Sequence, residues 1–292
     1  MWKIMKDNVE DLLSPNLWRS LACETLGTLV IVLLGCGAWV PWSAPDVVQI
    51  SLAFGLAVGT TVWIFTHISG GHFNPSVTAA ALVTRRVSII RGVLYIVAQI
   101  IGGILGAGAL YGLTPATRRG DLGATIISSD LTAAQAFGVE LLITFLFVLA
   151  VFASRDSART DLGGSSPLTI GLAVVVCHLF AINYTRASMN SARSFGPAVI
   201  MRIWNNHWVY WVGPLTGGIV AGLLYDYVFA AGATVAKARK CLLRTKKAEQ
   251  EKPPLDDGPA PEVIEIDETP ATDTATPGQS EKAKTAEEGA KE

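Results

Sequence analysis

The sequence predicts an all-α membrane protein: six transmembrane helices plus two re-entrant half-helices, arranged as an inverted repeat. Three observations predict it. The 292-residue chain is 50% hydrophobic and only 16% charged, whereas soluble domains carry about 25% charged residues. Six apolar runs approach the ~20 residues that a bilayer crossing requires. The chain also echoes itself: Asn74 lies fifty residues after Glu24 (74 − 24) and Asn190 fifty after Glu140 (190 − 140).

Taken in order, the first span is Trp18–Pro41, with Glu24 near its start in "CETLGTLVIVLLG". The second is Val47–Thr66. Asn74 then opens "NPSVTAAALV", a helix-like segment too short to cross. The third span, Ile89–Leu113, contains "GGILGAGALYG", and such small residues let helix backbones approach closely in lipid. The fourth, Ala133–Phe152, places Glu140 in "VELLITFLFVLAV", and the fifth is Leu168–Asn183. Asn190 opens the second short segment, "NSARSFGPAVI". The sixth span, His207–Ala230, is again glycine-rich, and Trp204, Trp208 and Trp211 stand where an interfacial aromatic belt belongs.

Six crossings put both termini on one side. Lys3, Lys6, Arg19, Arg85, Arg86, Arg91, Arg155, Arg159 and "KARKCLLRTKK" all fall there, against Arg118 and Arg119 opposite. The positive-inside rule makes that side cytosolic. The expected division is a cytosolic N-terminus at 1–16, a channel domain at 17–232 with repeats at about 17–115 and 133–232, and a cytosolic, largely disordered tail at 233–292. The N-terminus lacks the charged, apolar and cleavage regions of a signal peptide, so the first span is expected to act as signal anchor. Each half has three spans, so the halves are inverted relative to each other. Interrupted short segments at matching positions of inverted halves point to a site at the membrane midplane.

The residues at those positions suit a pore. Asn is a strong N-cap, its side-chain oxygen accepting from the first-turn N–H groups while its amide faces outward. Two half-helices entering from opposite faces would bring Asn74 and Asn190 together, with two positive helix ends on one channel. A cation is repelled there. A water that accepts from both amides points its hydrogens away from them, which hinders proton hopping. Irregular backbone at membrane depth needs internal partners. Glu24 and Glu140 supply acceptors for the loop N–H groups, and their symmetry with the asparagines favours scaffolding over a proton relay.

"SGGHFNPSVT" and "SMNSARSFGPAVI", with the paired acids and six spans, resemble the aquaporin (major intrinsic protein) family over about residues 15–235. "HLFAINYT", "FASRDSARTD" and "NHWVYWVGPLTGG" are most similar to its animal orthodox water channels. The resemblance implies a passive water-selective channel of the plasma membrane, driven by osmotic gradients, excluding protons and ions, and assembled as a homotetramer with one pore per subunit. It implies that Asn74, Pro75, Ser76 and Asn190, Ser191, Ala192 form the pore motifs. It implies a selectivity filter of Phe54, His178, Ala187 and Arg193. Glycerol-conducting relatives have a small residue at the His178 position and Asp after the arginine, so His178 and Ser194 argue against glycerol. Mercury-sensitive relatives have cysteine at the Ala187 position, which leaves Cys177, beside His178, as the candidate thiol.

Three residues depart from the family motif. Ser76 stands for alanine, and its hydroxyl is expected to bond back to a nearby carbonyl. Ser191 stands for proline, which pre-sets the first helical position. Arg186 stands for glycine beside the filter. If that position needs positive φ, arginine costs roughly 1–2 kcal/mol there, and its side chain is a candidate obstruction of the pore mouth. The alternative function is therefore a weakly conducting or closed channel fold with a junction or scaffold role, or a pore of altered small-solute selectivity. Thr66 and Cys177 also replace glycines of close relatives at tight helix contacts.

Elsewhere, "RRVS" makes Ser88 a candidate phosphosite. Ser157 is a weaker one, and the sequon "NYT" at Asn183 is expected to be unused. "KARKCLLRTKK" suits anionic lipid, with Cys241 a palmitoylation candidate. The Pro-, Glu-, Thr- and Lys-rich tail buries too little apolar surface to fold. No catalytic constellation, metal-ligand spacing or phosphate loop appears, so neither an enzyme, a cofactor nor a nucleic-acid partner is expected; water is the expected permeant and the lipid bilayer the expected surroundings.

Overall fold

A computed structural model describes residues 11–42, 44, 46–231 and 233. Those residues belong to one compact unit. Six of its helices are long and apolar enough to cross a membrane: α1 (Pro15–Gly37), α2 (Val47–Ser69), α4 (Ile89–Leu113), α5 (Ala133–Ser154), α6 (Ser166–Thr185) and α8 (Val209–Leu224), which runs on through a π-helical turn at Tyr225–Phe229. Two are short, α3 (Pro75–Val83) and α7 (Ser191–Met201). At 1.5 Å per residue they reach about 14 and 17 Å, roughly half the ~30 Å of a hydrocarbon core.

Every predicted element is present; the third span has the predicted ends, Ile89 and Leu113, and the other spans have shifted ones. The first helix starts at Pro15, earlier than Trp18, because Ser14 caps it and Pro15 occupies its first turn. It stops at Gly37, short of Pro41. The second continues to Ser69 before Gly70 closes it in a left-handed turn, φ 83°. Asp46, Ser88, Ser165 and a Thr132–Gln135 capping box start α2, α4, α6 and α5. Ser88 Oγ accepts from the Arg91 N–H and donates to Asp11, so the candidate phosphosite is the cap of α4. The Arg91 guanidinium beside Asp11, its largest influence, holds that carboxyl below the usual carboxylate range.

The packing is symmetric. α1 lies on α4, α5 on α8, and α2 on α6. Each half-helix packs on the last span of the opposite repeat: α3 on α8 and α7 on α4. Glycine makes these contacts possible. A methyl added at Gly218 of α8 would stand 2.8 Å from the Ser76 carbonyl oxygen, and one at Gly103 of α4 would collide with the Ala192 carbonyl. The outer faces stay apolar and exposed, with Leu52, Leu56, Trp63, Leu172 and Val176 among them, as a lipid-facing or subunit-facing surface requires. Cys241, the basic segment around it and the tail lie outside the described residues.

Candidate functional site

The half-helices meet end to end. Asn74 Oδ1 accepts from the Ser76 N–H at 2.8 Å, and Asn190 Oδ1 accepts from the N–H groups of Ala192 and Arg193 at 3.0 and 3.2 Å. Each amide also crosses to the other loop. Asn74 Nδ2 donates to the Met189 carbonyl and Asn190 Nδ2 to the Phe73 carbonyl, both at 2.8 Å. The sequence reading missed these reciprocal bonds, which lock the two repeats together and aim each amide. One hydrogen of each NH2 remains for the channel.

The acids hold the loops. Glu24 accepts from the N–H groups of His72 and Phe73, from Ser69 Oγ and from Gln99 Nε2, at 2.6–2.9 Å. Glu140 accepts from the N–H groups of Ser188 and Met189 and from Thr185 Oγ1, at 2.6–3.0 Å. Both are fully buried, and a buried carboxylate is tolerable only with such partners.

A narrow cavity runs past both asparagines, lined also by Phe54, Val58, Val174, His178 and Arg193. Phe54 and His178 stack with centroids 4.5 Å apart. The Arg193 guanidinium lies 4.5 Å over the Phe54 ring. Its Nη1 donates to the Gly123 carbonyl at 2.8 Å and sits 3.5 Å from Cys36 Sγ. His178 Nδ1 contacts the Val174 carbonyl at 3.0 Å. That leaves His178 Nε2 and the Nε and Nη2 of Arg193 buried with no protein partner. Ala187 is buried in the adjoining loop, outside the cavity lining. Ser194 Oγ bonds to Ser188 Oγ at 2.6 Å.

The departures land as follows. Arg186 is the left-handed C-cap of α6, at φ 62°. Its guanidinium turns to the 116–131 connection, where it pairs with Asp121, donates to the Ala124 carbonyl at 3.2 Å, and lies 4.9 Å over the Trp39 ring. It is absent from the cavity lining. The Ser76 hydroxyl corrects an expectation. Instead of bonding back to a carbonyl it is buried with no protein partner, as is that of Ser191. Cys177 Sγ faces the Ile143 carbonyl at 3.4 Å and does not line the cavity. Cys36 is the thiol against Arg193. The sequence reading passed over it because it lies in another helix, 157 residues away.

The model of the family described as "Major intrinsic protein" matches residues 11–225. Aquaporin-4 of Mus musculus is 52% identical over 229 residues, covering 76% of this chain and 71% of that one. Aquaporin-2 of Bos taurus is 45% identical over 228 residues, 77% of this chain and 84% of that one. Among solved structures, the aquaglyceroporin from Plasmodium falciparum superposes with a TM-score of 0.67 at 23% identity, over 73% of this chain and 96% of that one, which bears on the fold alone. Helical architecture, reciprocal half-helices and sequence all agree, and the chain belongs to the major intrinsic protein family.

Proposed function

We propose that this chain is a passive, water-selective membrane channel. One observation carries the reading. Three polar groups, His178 Nε2 and the Nε and Nη2 of Arg193, are buried without a protein partner around one cavity, a short way from two asparagine amides. Buried polar groups are costly unless paired. A file of water molecules is the permeant that pairs them in turn, and the fixed charge of Arg193 with two positive helix ends repels cations. The similarity to curated aquaporins supports the same reading. The alternative rests on Arg186 and Ser191; the Arg186 side chain is held by Asp121 and Trp39 instead of standing in the cavity, and Asn190 keeps its cap bonds ahead of Ser191.

The finer points belong to the same proposal. The excess of arginine where the first helix begins and the last ends supports cytosolic termini. Family likeness supports a homotetramer in the plasma membrane. Glu24 and Glu140 act as loop scaffolds, and Phe54, His178 and Arg193 as the filter, with Ala187 in the loop beside it and outside the cavity lining. Stopped-flow light scattering of proteoliposomes tests the function. Fast shrinkage in an impermeant osmolyte, with low activation energy and no glycerol entry, is the expected result. Flux equal to empty liposomes, from folded protein, would refute it.

A further inference from the structure

The pore has a second arginine at its other end. Arg155 follows α5 as its C-cap, on the side where α1 begins and α8 ends. It lines the same cavity as Asn74, Asn190 and Arg193, next to Gly71 and His72. Its Nη2 donates to the Gly71 carbonyl at 2.9 Å, and its Nε is buried with no protein partner. Among the described residues no carboxylate lies within ion-pair distance. The arginines so paired are Arg86, Arg91, Arg159 and Arg186. Glu24, which acts on it electrostatically, and Asp156, the next residue in the chain, are committed elsewhere. Glu24 serves its own loop, and Asp156 accepts from the N–H groups of Ala158 and Ala231 and from Tyr225 Oη. Burial pulls the Arg155 guanidinium down to about 10, so it stays charged at neutral pH.

An arginine with those properties is out of place as a structural ion pair. Its Gly71 bond fixes it beside the first re-entrant loop, and the residue lines a narrow path whose other walls are largely apolar. The counterpart of Arg155 in the other repeat is Trp39 (155 − 116), so symmetry does not demand an arginine there. We propose that Arg155 is a second cationic constriction, in series with Arg193, which limits water flux and repels cations at the mouth opposite the filter. This assignment rests on the water-channel reading above. A charge in a narrow, low-dielectric path acts over a longer range than one in open water, so two such barriers are partly redundant for ions and additive as resistance to water.

The test uses the full chain in proteoliposomes, with folding checked by size-exclusion chromatography and thermal unfolding. Arg155→Ala is expected to raise water permeability about fivefold, the equivalent of about 1 kcal/mol for one hydrogen bond removed from the barrier. Arg155→Lys, which keeps the charge on a narrower head, should fall between. In a cation-leak assay, Arg193→Val alone should stay largely tight, and Arg193→Val with Arg155→Ala should leak. Unchanged water permeability in Arg155→Ala, with Arg193→Val leaking as much as the double variant, would overturn the constriction while leaving the channel reading intact. No water flux in either the wild type or Arg155→Ala would overturn both.

Discussion

The first re-entrant loop turns through Gly70 and Gly71, at φ 83° and 64°. The second, 116 residues later (186 − 70), turns through Arg186 and Ala187, at φ 62° and 50°. Phe73 and Met189, also 116 apart (189 − 73), match at 50° and 53°. Glycine adopts these angles without penalty, whereas other residues lose roughly 1–2 kcal/mol each. The second loop therefore holds the shape of the first against local preference. What the two loops share is external: a buried glutamate on two loop N–H groups, and an asparagine amide from the opposite loop on one carbonyl. Those contacts dictate the backbone, and residue choice follows where it can.

The largest expected effect comes from removing the glutamates. Glu24→Ala and Glu140→Ala each strand two loop N–H groups, at about 1–3 kcal/mol apiece. Glu24 has one donor more, but that donor, Gln99 Nε2, keeps Thr78 Oγ1 at 2.9 Å. The strain in Arg186 and Ala187 should then decide the order. Glu140→Ala is expected to lose more assembled, conducting protein than Glu24→Ala, read as folded yield and water permeability per folded channel. Equal losses would mean that the second loop stores no strain.

A smaller effect is expected at the compensation for that strain. Asp121 accepts from Arg186 with one oxygen and from the Gly123 N–H with the other, at 3.2 Å, and the Gly123 carbonyl in turn holds Arg193. Arg186 thereby braces the segment that steadies Arg193. Asp121→Asn should free Arg186 at the mouth and lower water permeability roughly two- to fivefold, the range of a partly exposed ion pair. Adding Arg186→Gly should restore it. Arg186→Gly alone should stay near the wild type, because relief of the left-handed strain offsets the lost brace. A several-fold rise in that single variant would instead make Arg186 an obstruction.

Much of this was legible in the residues, for physical reasons. The spans follow from apolar length, the half-helices from asparagine caps ahead of segments too short to cross, and the acids from the need to satisfy buried loop backbone. The rest depended on loops, which have no periodicity to read. Nothing local to Arg186 pointed to Asp121, 65 residues away. Arg155 counted only as one positive charge near a helix end, and its entry into the cavity depends on where α5 stops. Cys36 reaches Arg193 through helix packing alone. Ser76 was given a carbonyl partner by the usual habit of helical serines, yet its hydroxyl has none.

The smallest expected effect lies at another position where the first repeat has the better residue. Pro75 opens α3 and Ser191 opens α7, 116 residues on (191 − 75). Asn190 caps the N–H groups of Ala192 and Arg193 and leaves that of Ser191 out, so proline there gives up no cap bond. Asn190 is already extended, φ −145° and ψ 108°, much as Asn74 is ahead of Pro75, φ −156° and ψ 122°, and extended backbone is what a residue preceding proline needs. Ser191→Pro also removes a hydroxyl buried without a protein partner. The substitution should stabilise the protein by about 0.5–1 kcal/mol, read as a small rise in Tm, with water permeability unchanged because Asn190 and Arg193 keep their aim. A lower Tm with altered permeability would show that the Ser191 hydroxyl is paired in the working channel, and that the second repeat departs from proline for a reason of its own.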